Sequence, residues 1–265
     1  MERFREKYGP WALITGAAAG IGAEFANQLA ALGFDLVLID RRQDPLEATT
    51  RRVSSQYGVQ TKAIRKDLEQ PDFLPDILQV TDSLEIGLLV NNAGYALTGD
   101  FLDHDLEQEL GLLYVNCRAP LMLSHEFGKR MVRRGRGGII YLSSLAAFLP
   151  MPFWTHYSAS KVYVLHMANG LYLELKDKGV DVLALCPGNT KTGFAEVAGI
   201  RSVGMTPEPV VRYALKKLGK RPLVVPGIGN RIIAFSTRMM SPLGNIKIGA
   251  KVVQDLRQVN RTERS

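Results

Sequence analysis

The sequence predicts an α/β fold, a doubly wound parallel sheet of seven strands with helices on both faces. Three observations carry this expectation. Seven short apolar runs recur along the chain, and most are continuous rather than alternating, as strands covered on both faces require. Helix-length patterns separate them, and strand–helix–strand repetition gives parallel pairing. A glycine-rich turn, Thr15-Gly16-Ala17-Ala18-Ala19-Gly20-Ile21-Gly22, joins the first run to the first helix.

Taken in order, the strand-like runs are 11–15, 35–40, 60–64, 86–90, 138–143, 180–185 and 222–225. The clearest helical patterns between them are 23–32 and 157–178. No Pro/Ser-rich linker and no repeat breaks the chain, so residues 1–229 read as one domain. Residues 230–265 read as a basic C-terminal extension, helical and packed on that domain. Gly227, Gly229, Pro242 and Gly244 punctuate it, and 247–257 has the pattern of an amphipathic helix.

The chain has 265 residues, 46% apolar and 22% charged, the mix of an ordinary globular protein. A disordered tail, a collagen and a disulfide mini-protein are excluded. Cys117 and Cys186 cannot staple a chain of this size, so both are expected as free, buried thiols in a reducing compartment. No stretch of eighteen uncharged apolar residues occurs, and residues 1–7 lead into no signal core. A cytoplasmic protein is expected. The net charge of +7 is uneven: residues 201–265 hold thirteen Lys/Arg against three Asp/Glu. This basic segment reads as a solvated helical face, with peripheral contact to anionic lipid as the alternative. No nucleic acid partner is expected.

Gly16, Gly20 and Gly22 leave room for a tight turn and for close approach of the backbone to a pyrophosphate. The following helix N-terminus offers unpaired N–H groups to the phosphates. This is the dinucleotide-binding, Rossmann-type arrangement, although the spacing is GxxxGxG. The turn lacks the Gly-Lys-Ser/Thr ending of a nucleoside triphosphatase loop. Asp40 closes the second strand, where a carboxylate accepts hydrogen bonds from ribose hydroxyls and repels a 2′-phosphate. Arg41 and Arg42 would instead welcome that phosphate. With no Lys or Arg in the glycine turn, the balance favours NAD(H) over NADP(H).

Tyr157 and Lys161 stand four apart in a helical segment and share a face. A phenol, with a pKa of about 10, is a poor base at neutral pH. A nearby ammonium favours the phenolate. Lowering the pKa by about 3 units takes roughly 4 kcal/mol. Alone, such a pair is an ordinary amphipathic helix; beside the glycine turn, 91–94 and Ser144 it becomes a candidate site. His104, His125, His156 and His166 show no metal-ligand spacing, and no metal is expected. Asp103, Asp105, Glu107 and Glu109 read as solvated helix charges.

Four motifs stand in a characteristic order: Thr15-Gly-x-x-x-Gly-Ile-Gly22, Asn91-Asn92-Ala93-Gly94, Ser144, and Tyr157-Ser-Ala-Ser-Lys161, followed by Pro187-Gly188. As a set, over about residues 10–225, they resemble the short-chain dehydrogenase/reductase family in its compact single-domain form. Tyr8-Gly9-Pro10-Trp11 and the basic tail are similar to a bacterial branch with 17β-hydroxysteroid dehydrogenase-like and 3-oxoacyl reductase-like members.

The resemblance implies a catalytic set of Asn116, Ser144, Tyr157 and Lys161. Tyr157 would be the general acid/base and Lys161 its activator; both would also bind the cofactor, Lys161 at the nicotinamide ribose. Ser144 would position the substrate, and Asn116 would hold a helix bulge and a proton-relay water. Gly16, Ala18, Ala19, Gly20, Ile21 and Gly22 would hold the pyrophosphate; Asp40 and Arg41 would face the ribose. Asp67 and Leu68 would meet adenine, Asn92, Ala93 and Gly94 would border the cofactor, and Pro187, Gly188, Thr190 and Thr192 would form the nicotinamide-side loop. The family also implies a homodimer or homotetramer.

Segment 189–207 carries Phe194, Val197, Ile200 and Met205, and loop 145–155 adds Phe148, Leu149, Met151, Phe153 and Trp154. These make an apolar pocket wall. The expected substrate is an apolar ketone or secondary alcohol, steroid-like, fatty-acyl or alicyclic. The alternatives are a 3-oxoacyl thioester reductase and a non-catalytic dinucleotide sensor or scaffold. The complete Ser144, Tyr157 and Lys161 set argues against the last.

Overall fold

The computed structural model describes residues 2–262. Seven strands form one sheet: β1 (Trp11–Thr15), β2 (Asp35–Asp40), β3 (Thr61–Arg65), β4 (Ile86–Asn91), β5 (Gly137–Leu142), β6 (Val180–Leu185) and β7 (Leu223–Val224). Their order is β3-β2-β1-β4-β5-β6-β7, and every pairing is parallel. This is the expected fold.

The period-two alternation of strand side chains supplies two core layers. Ala12, Ile14, Leu36, Leu38, Leu88 and Val90 pack on one side, with Phe25 and Leu29 of α2 (Gly20–Ala31). Leu13, Val37, Ile39, Leu89, Ile139 and Tyr141 pack on the other. That second layer meets Ile77 of α4 (Phe73–Thr81), Phe127 of α6 (Ala119–Arg134) and Val164 of α7 (Thr155–Lys176).

The ends of the strands and of the helices between them differ from expectation by up to three residues, for local reasons. The third strand runs one residue later than 60–64; as an edge strand it leaves Lys62 and Ala63 exposed, so its apolar pattern is blurred. The fifth strand starts and ends one residue early, at Gly137 and Leu142, although the Ser143 N–H still donates to the Leu185 carbonyl at 2.8 Å. The first crossover helix starts at Gly20 rather than 23, because the glycine turn itself becomes its first turn.

The chain leaves β1 toward β2 on one side and reaches β4 on the other, so a crevice opens between β1 and β4 at their carboxyl ends. Beyond β7, α10 (Ile228–Ser236) and α11 (Pro242–Thr262) continue the chain. The terminal helix starts five residues before the expected 247–257. Its Val253 is fully buried in a third cluster with Met151, Trp154 and Tyr157. Residues 263–265 of the C-terminal segment lie outside the described residues. Both cysteines are free and buried, and burial raises the Cys117 thiol to about 11 and the Cys186 thiol to about 12. Among the described residues no helix is long and apolar enough to cross a membrane.

Candidate active site

The glycine turn is built by close approach. Gly16 has φ +65°, a left-handed conformation that glycine adopts without strain. A Cβ at Gly22 would lie 2.1 Å from the Gly16 carbonyl oxygen and 2.5 Å from Asn92 Nδ2. Asn92 Nδ2 donates to the carbonyls of Thr15 (2.8 Å) and Gly16 (3.1 Å). Thr15 Oγ1 in turn accepts from the backbone N–H groups of Asn92 and Ala93, both at 3.0 Å. The Asn92 side chain therefore clamps the turn. Gly22→Ala is expected to cost about 2 kcal/mol or more by overpacking, and to weaken dinucleotide binding. Thermal unfolding and a dinucleotide titration check both effects.

The carboxyl ends of the strands open into one cavity of about 680 Å³. In sheet order its walls are Asp67 and Leu68 after β3, Asp40 and Arg41 at β2, and Gly16, Ala19, Gly20 and Ile21 after β1. Asn92, Ala93 and Gly94 follow after β4, then Ser144 after β5 with Tyr157 and Lys161 of α7, and Pro187, Gly188, Thr190 and Thr192 after β6. Ala18, Gly22 and Asn116 stand behind these walls. The Ala18 N–H donates to Asp40 Oδ2 at 3.1 Å.

Asn116 lies in a π-helical turn, Tyr114–Arg118, between α5 (Leu106–Leu113) and α6. Its Oδ1 accepts from the Tyr95 N–H (3.1 Å), and its Nδ2 donates to the Tyr95 carbonyl and to Ser160 Oγ, both at 3.0 Å. Such single-turn bulges recur at functional sites. Ser160, inside the Tyr157–Lys161 segment, was not anticipated as its partner.

Tyr157 is 6% exposed and Lys161 4%. Lys161 Nζ lies 5.6 Å from the Tyr157 ring centroid and donates to the Leu142 carbonyl at 3.0 Å. Trp154 and Phe194 flank the phenol ring at 5.3 and 5.6 Å between centroids. Burial pushes the phenol up to about 12, and a hydrogen bond with the Ser144 hydroxyl opposes that rise. Burial pushes the Lys161 ammonium down to about 8. The expectation of a phenol pulled down by Lys161 is corrected here: burial disfavours the charged form of each group and is the largest cause acting on both. At neutral pH the phenol holds its proton.

The donor set fits a dinucleotide. Lys161 is a buried three-donor group at the cavity wall, and Leu142 O is its one hydrogen-bond acceptor among the described residues. A diol beside it would accept the remaining N–H bonds. Gly16–Gly22 presents a helix N-terminus where a pyrophosphate would lie.

Residues 10–200 match the short chain dehydrogenase family. The chain belongs to this family. It is therefore an oxidoreductase with an NAD(P)-binding site. It is 31% identical over 235 residues to the 7beta-hydroxysteroid dehydrogenase of Collinsella aerofaciens, covering 86% of this chain and 89% of that one. It is 35% identical over 216 residues to the very-long-chain 3-oxoacyl-CoA reductase of Anas platyrhynchos, covering 80% and 69%. A solved short-chain dehydrogenase from Sphingobium yanoikuyae, in complex with NADPH, superposes with a TM-score of 0.79 at 32% identity over 90% and 96% of the two chains.

In this short-chain dehydrogenase the wall near Tyr157 is apolar: Leu149, Met151, Trp154, Phe194, Val197 and Ile200 all line it. Two expected wall residues do not. Phe148 packs into the core beside the sheet, and Phe153 turns away with φ +67° to pack against Arg257. The C-terminal helix supplies wall residues that were not anticipated, Ile248, Val252 and Leu256. Their i, i+4, i+8 spacing was the signal available in the sequence. Trp154 Nε1 donates to Thr98 Oγ1 (2.6 Å), which donates to the Ala198 carbonyl (2.7 Å), tying the 189–207 segment to α7.

Glu109 is also corrected: it is 6% exposed, not solvated. It accepts from His104 Nδ1 at 2.7 Å and pairs with His156 Nδ1, bracing α5 against the first turn of α7. Among the described residues no cluster of His, Cys, Asp or Glu could hold a metal ion.

Proposed function

We propose that the chain interconverts a ketone and a secondary alcohol on an apolar substrate, with NAD(H) as the preferred cofactor and Tyr157 as general acid/base. The observation that carries this reading is a protonated, buried phenol between Ser144 and Lys161, on an apolar cavity wall. When bound, the nicotinamide supplies or accepts the hydride. Ser144 and Tyr157 hydroxyls hold the carbonyl oxygen and stabilise developing alkoxide charge. Tyr157 donates its proton to that oxygen in reduction and takes it back in oxidation. The Lys161 ammonium steadies the phenolate left behind, and Asn116 keeps the π turn in place beside it. A panel of carbonyls tested with NADH and NADPH separately checks the proposal. Turnover confined to small charged sugars would reject it.

Asp40 supports the cofactor preference. It accepts from the N–H groups of Ala18 and Arg42 and from the Arg42 guanidinium, at 3.0 to 3.2 Å, and ribose hydroxyls would take the place of the half-exposed guanidinium. The carboxylate neutralises Arg42, and Arg41 faces Glu69 at 3.6 Å, so neither guanidinium is a free phosphate receptor. A 2′-phosphate dianion would sit beside a buried carboxylate. Asp40→Ala is expected to lower kcat/KM with NADH about tenfold and to raise it with NADPH, an exchange of about 1–2 kcal/mol. An unchanged ratio would remove Asp40 from cofactor choice.

A second reading, reduction of 3-oxoacyl thioesters, is favoured by Arg201 in the cavity wall and by the basic residues Arg212, Lys216, Lys217, Lys220 and Arg221. Comparing a free ketone with its acyl-carrier or coenzyme A form separates the two. A homodimer or homotetramer formed through α5, α6 and α7 is also proposed. These helices expose Leu106, Leu121 and Leu173.

A further inference from the structure

The C-terminal elements carry surface that the chemistry above does not use. Residues 209–254 contain nine Lys/Arg and no Asp/Glu. Within this segment α10 and the short turn after it, Thr237–Met239, expose Ile228, Ile232, Phe235 and Met239. Their intervals of four, three and four place them in one helical stripe. They are 63–79% exposed. Leu243 and Ile246 of α11 add to the exposed apolar surface, and Arg231, Arg238, Lys247 and Lys251 are exposed along the same two helices and the turn after α10. Contiguous apolar surface of this kind marks an interaction site.

The patch adjoins the cavity. Ile233, Ile248 and Val252 are both exposed and part of the cavity wall, so the apolar surface continues to its mouth.

We infer that α10 and the start of α11 dock this protein on an anionic lipid surface. The apolar stripe would enter the headgroup–acyl boundary, and the four cations would meet lipid phosphates or carboxylates. Charge decides between occupants. In an isologous pairing of two copies, each cation-rich patch would face its twin with no acidic residue from 209 to 254 to offset the repulsion. An anionic bilayer complements both features at once. Delivery of substrate from the bilayer into the adjoining mouth rests on the apolar-substrate reading; the docking itself does not.

Co-sedimentation of the full chain tests this, using vesicles of phosphatidylcholine alone and of phosphatidylcholine mixed with phosphatidylglycerol. Binding is expected to the mixed vesicles, to fall with added salt, and to be at least tenfold weaker to phosphatidylcholine alone. Phe235→Glu, and separately Arg231→Glu with Arg238→Glu, should each reduce binding about tenfold or more. None of these residues lines the cavity, so turnover of a water-soluble ketone without vesicles should remain. Equal binding to both vesicle types, or binding untouched by the variants, overturns the inference. Loss of a dimer in the variants, with no vesicle binding by the parent chain, assigns the surface to a second copy and overturns it too. Loss of ketone turnover in the parent chain, with vesicle binding intact, would instead count against the proposed chemistry.

Discussion

Tyr157→Phe is expected to lower kcat about 1000-fold, some 4 kcal/mol in the barrier, while leaving the fold and dinucleotide binding in place. The substitution removes one hydroxyl. The ring keeps its contacts with Trp154 and Phe194, and Lys161 keeps its bond to the Leu142 carbonyl. The hydroxyl is buried and its hydrogen-bond partner among the described residues is Ser144, so its loss should change stability by no more than about 1 kcal/mol. Steady-state turnover with a ketone, a melting curve and a cofactor titration read the three quantities separately. Turnover within a few-fold of the parent enzyme would show that the proton comes from elsewhere, and the mechanism would fail at its central step. A fall in cofactor affinity of the same size would assign Tyr157 a binding role instead.

Lys161→Met should abolish most turnover yet make the cofactor-free protein more stable. The buried ammonium titrates near 8 in the folded chain against an ordinary 10.5. At neutral pH that difference opposes folding by about 3 kcal/mol. Methionine fills a similar volume without the charge. It loses the hydrogen bond to Leu142 O, worth about 1 kcal/mol. The net gain is about 2 kcal/mol, a rise in Tm of roughly 5 °C. The pH dependence gives an independent check. From about pH 8 to 10.5 the unfolded chain binds the Lys161 proton that the folded chain has released, so the contribution of this one group to stability rises through that window, against the fall imposed by the buried thiols and phenols whose pKa values are raised. Those groups are common to both proteins, so the stability advantage of Lys161→Met over the parent should shrink as pH rises through the window. In the parent enzyme ketone reduction should fall above about pH 8, where the amine becomes neutral and no longer steadies the phenolate. A stability difference between the two proteins that stays constant from pH 7 to 10 would show that Lys161 is not desolvated in solution. Enhanced stability beside lost activity is the pattern of a site that buries a charge for chemistry.

Much of the site was legible because its residues act through short-range covalent spacing. Gly16, Gly20 and Gly22 lie on one turn, and Tyr157 and Lys161 on one helical face, so neighbours in sequence are neighbours in space. Asp40 at a strand end and Ser144 just beyond another were equally readable, because a parallel sheet brings all strand ends to one edge. Glu109 was misread for the opposite reason. In sequence it is one acid among Asp103, Asp105 and Glu107, and only the docking of α5 against α7 buries it between His104 and His156. Phe148 and Phe153 were assigned to the pocket by their apolar character, which cannot tell one apolar environment from another.

The sequence by itself determined the strand order's raw material, the glycine turn, the tyrosine–lysine pair and the basic C-terminal segment, because periodicity and spacing along the chain encode local geometry directly. Tertiary structure alone decided how charge and solvent fall across them. Packing removed water from Tyr157 and Lys161 and reversed the expected shift of the phenol. It closed Asp40 around Arg42, and it set Ile248, Val252 and Leu256 against a cavity built by strands far away in the chain. Desolvation and long-range contact depend on what surrounds a residue in space, and that becomes defined only when the whole chain has folded.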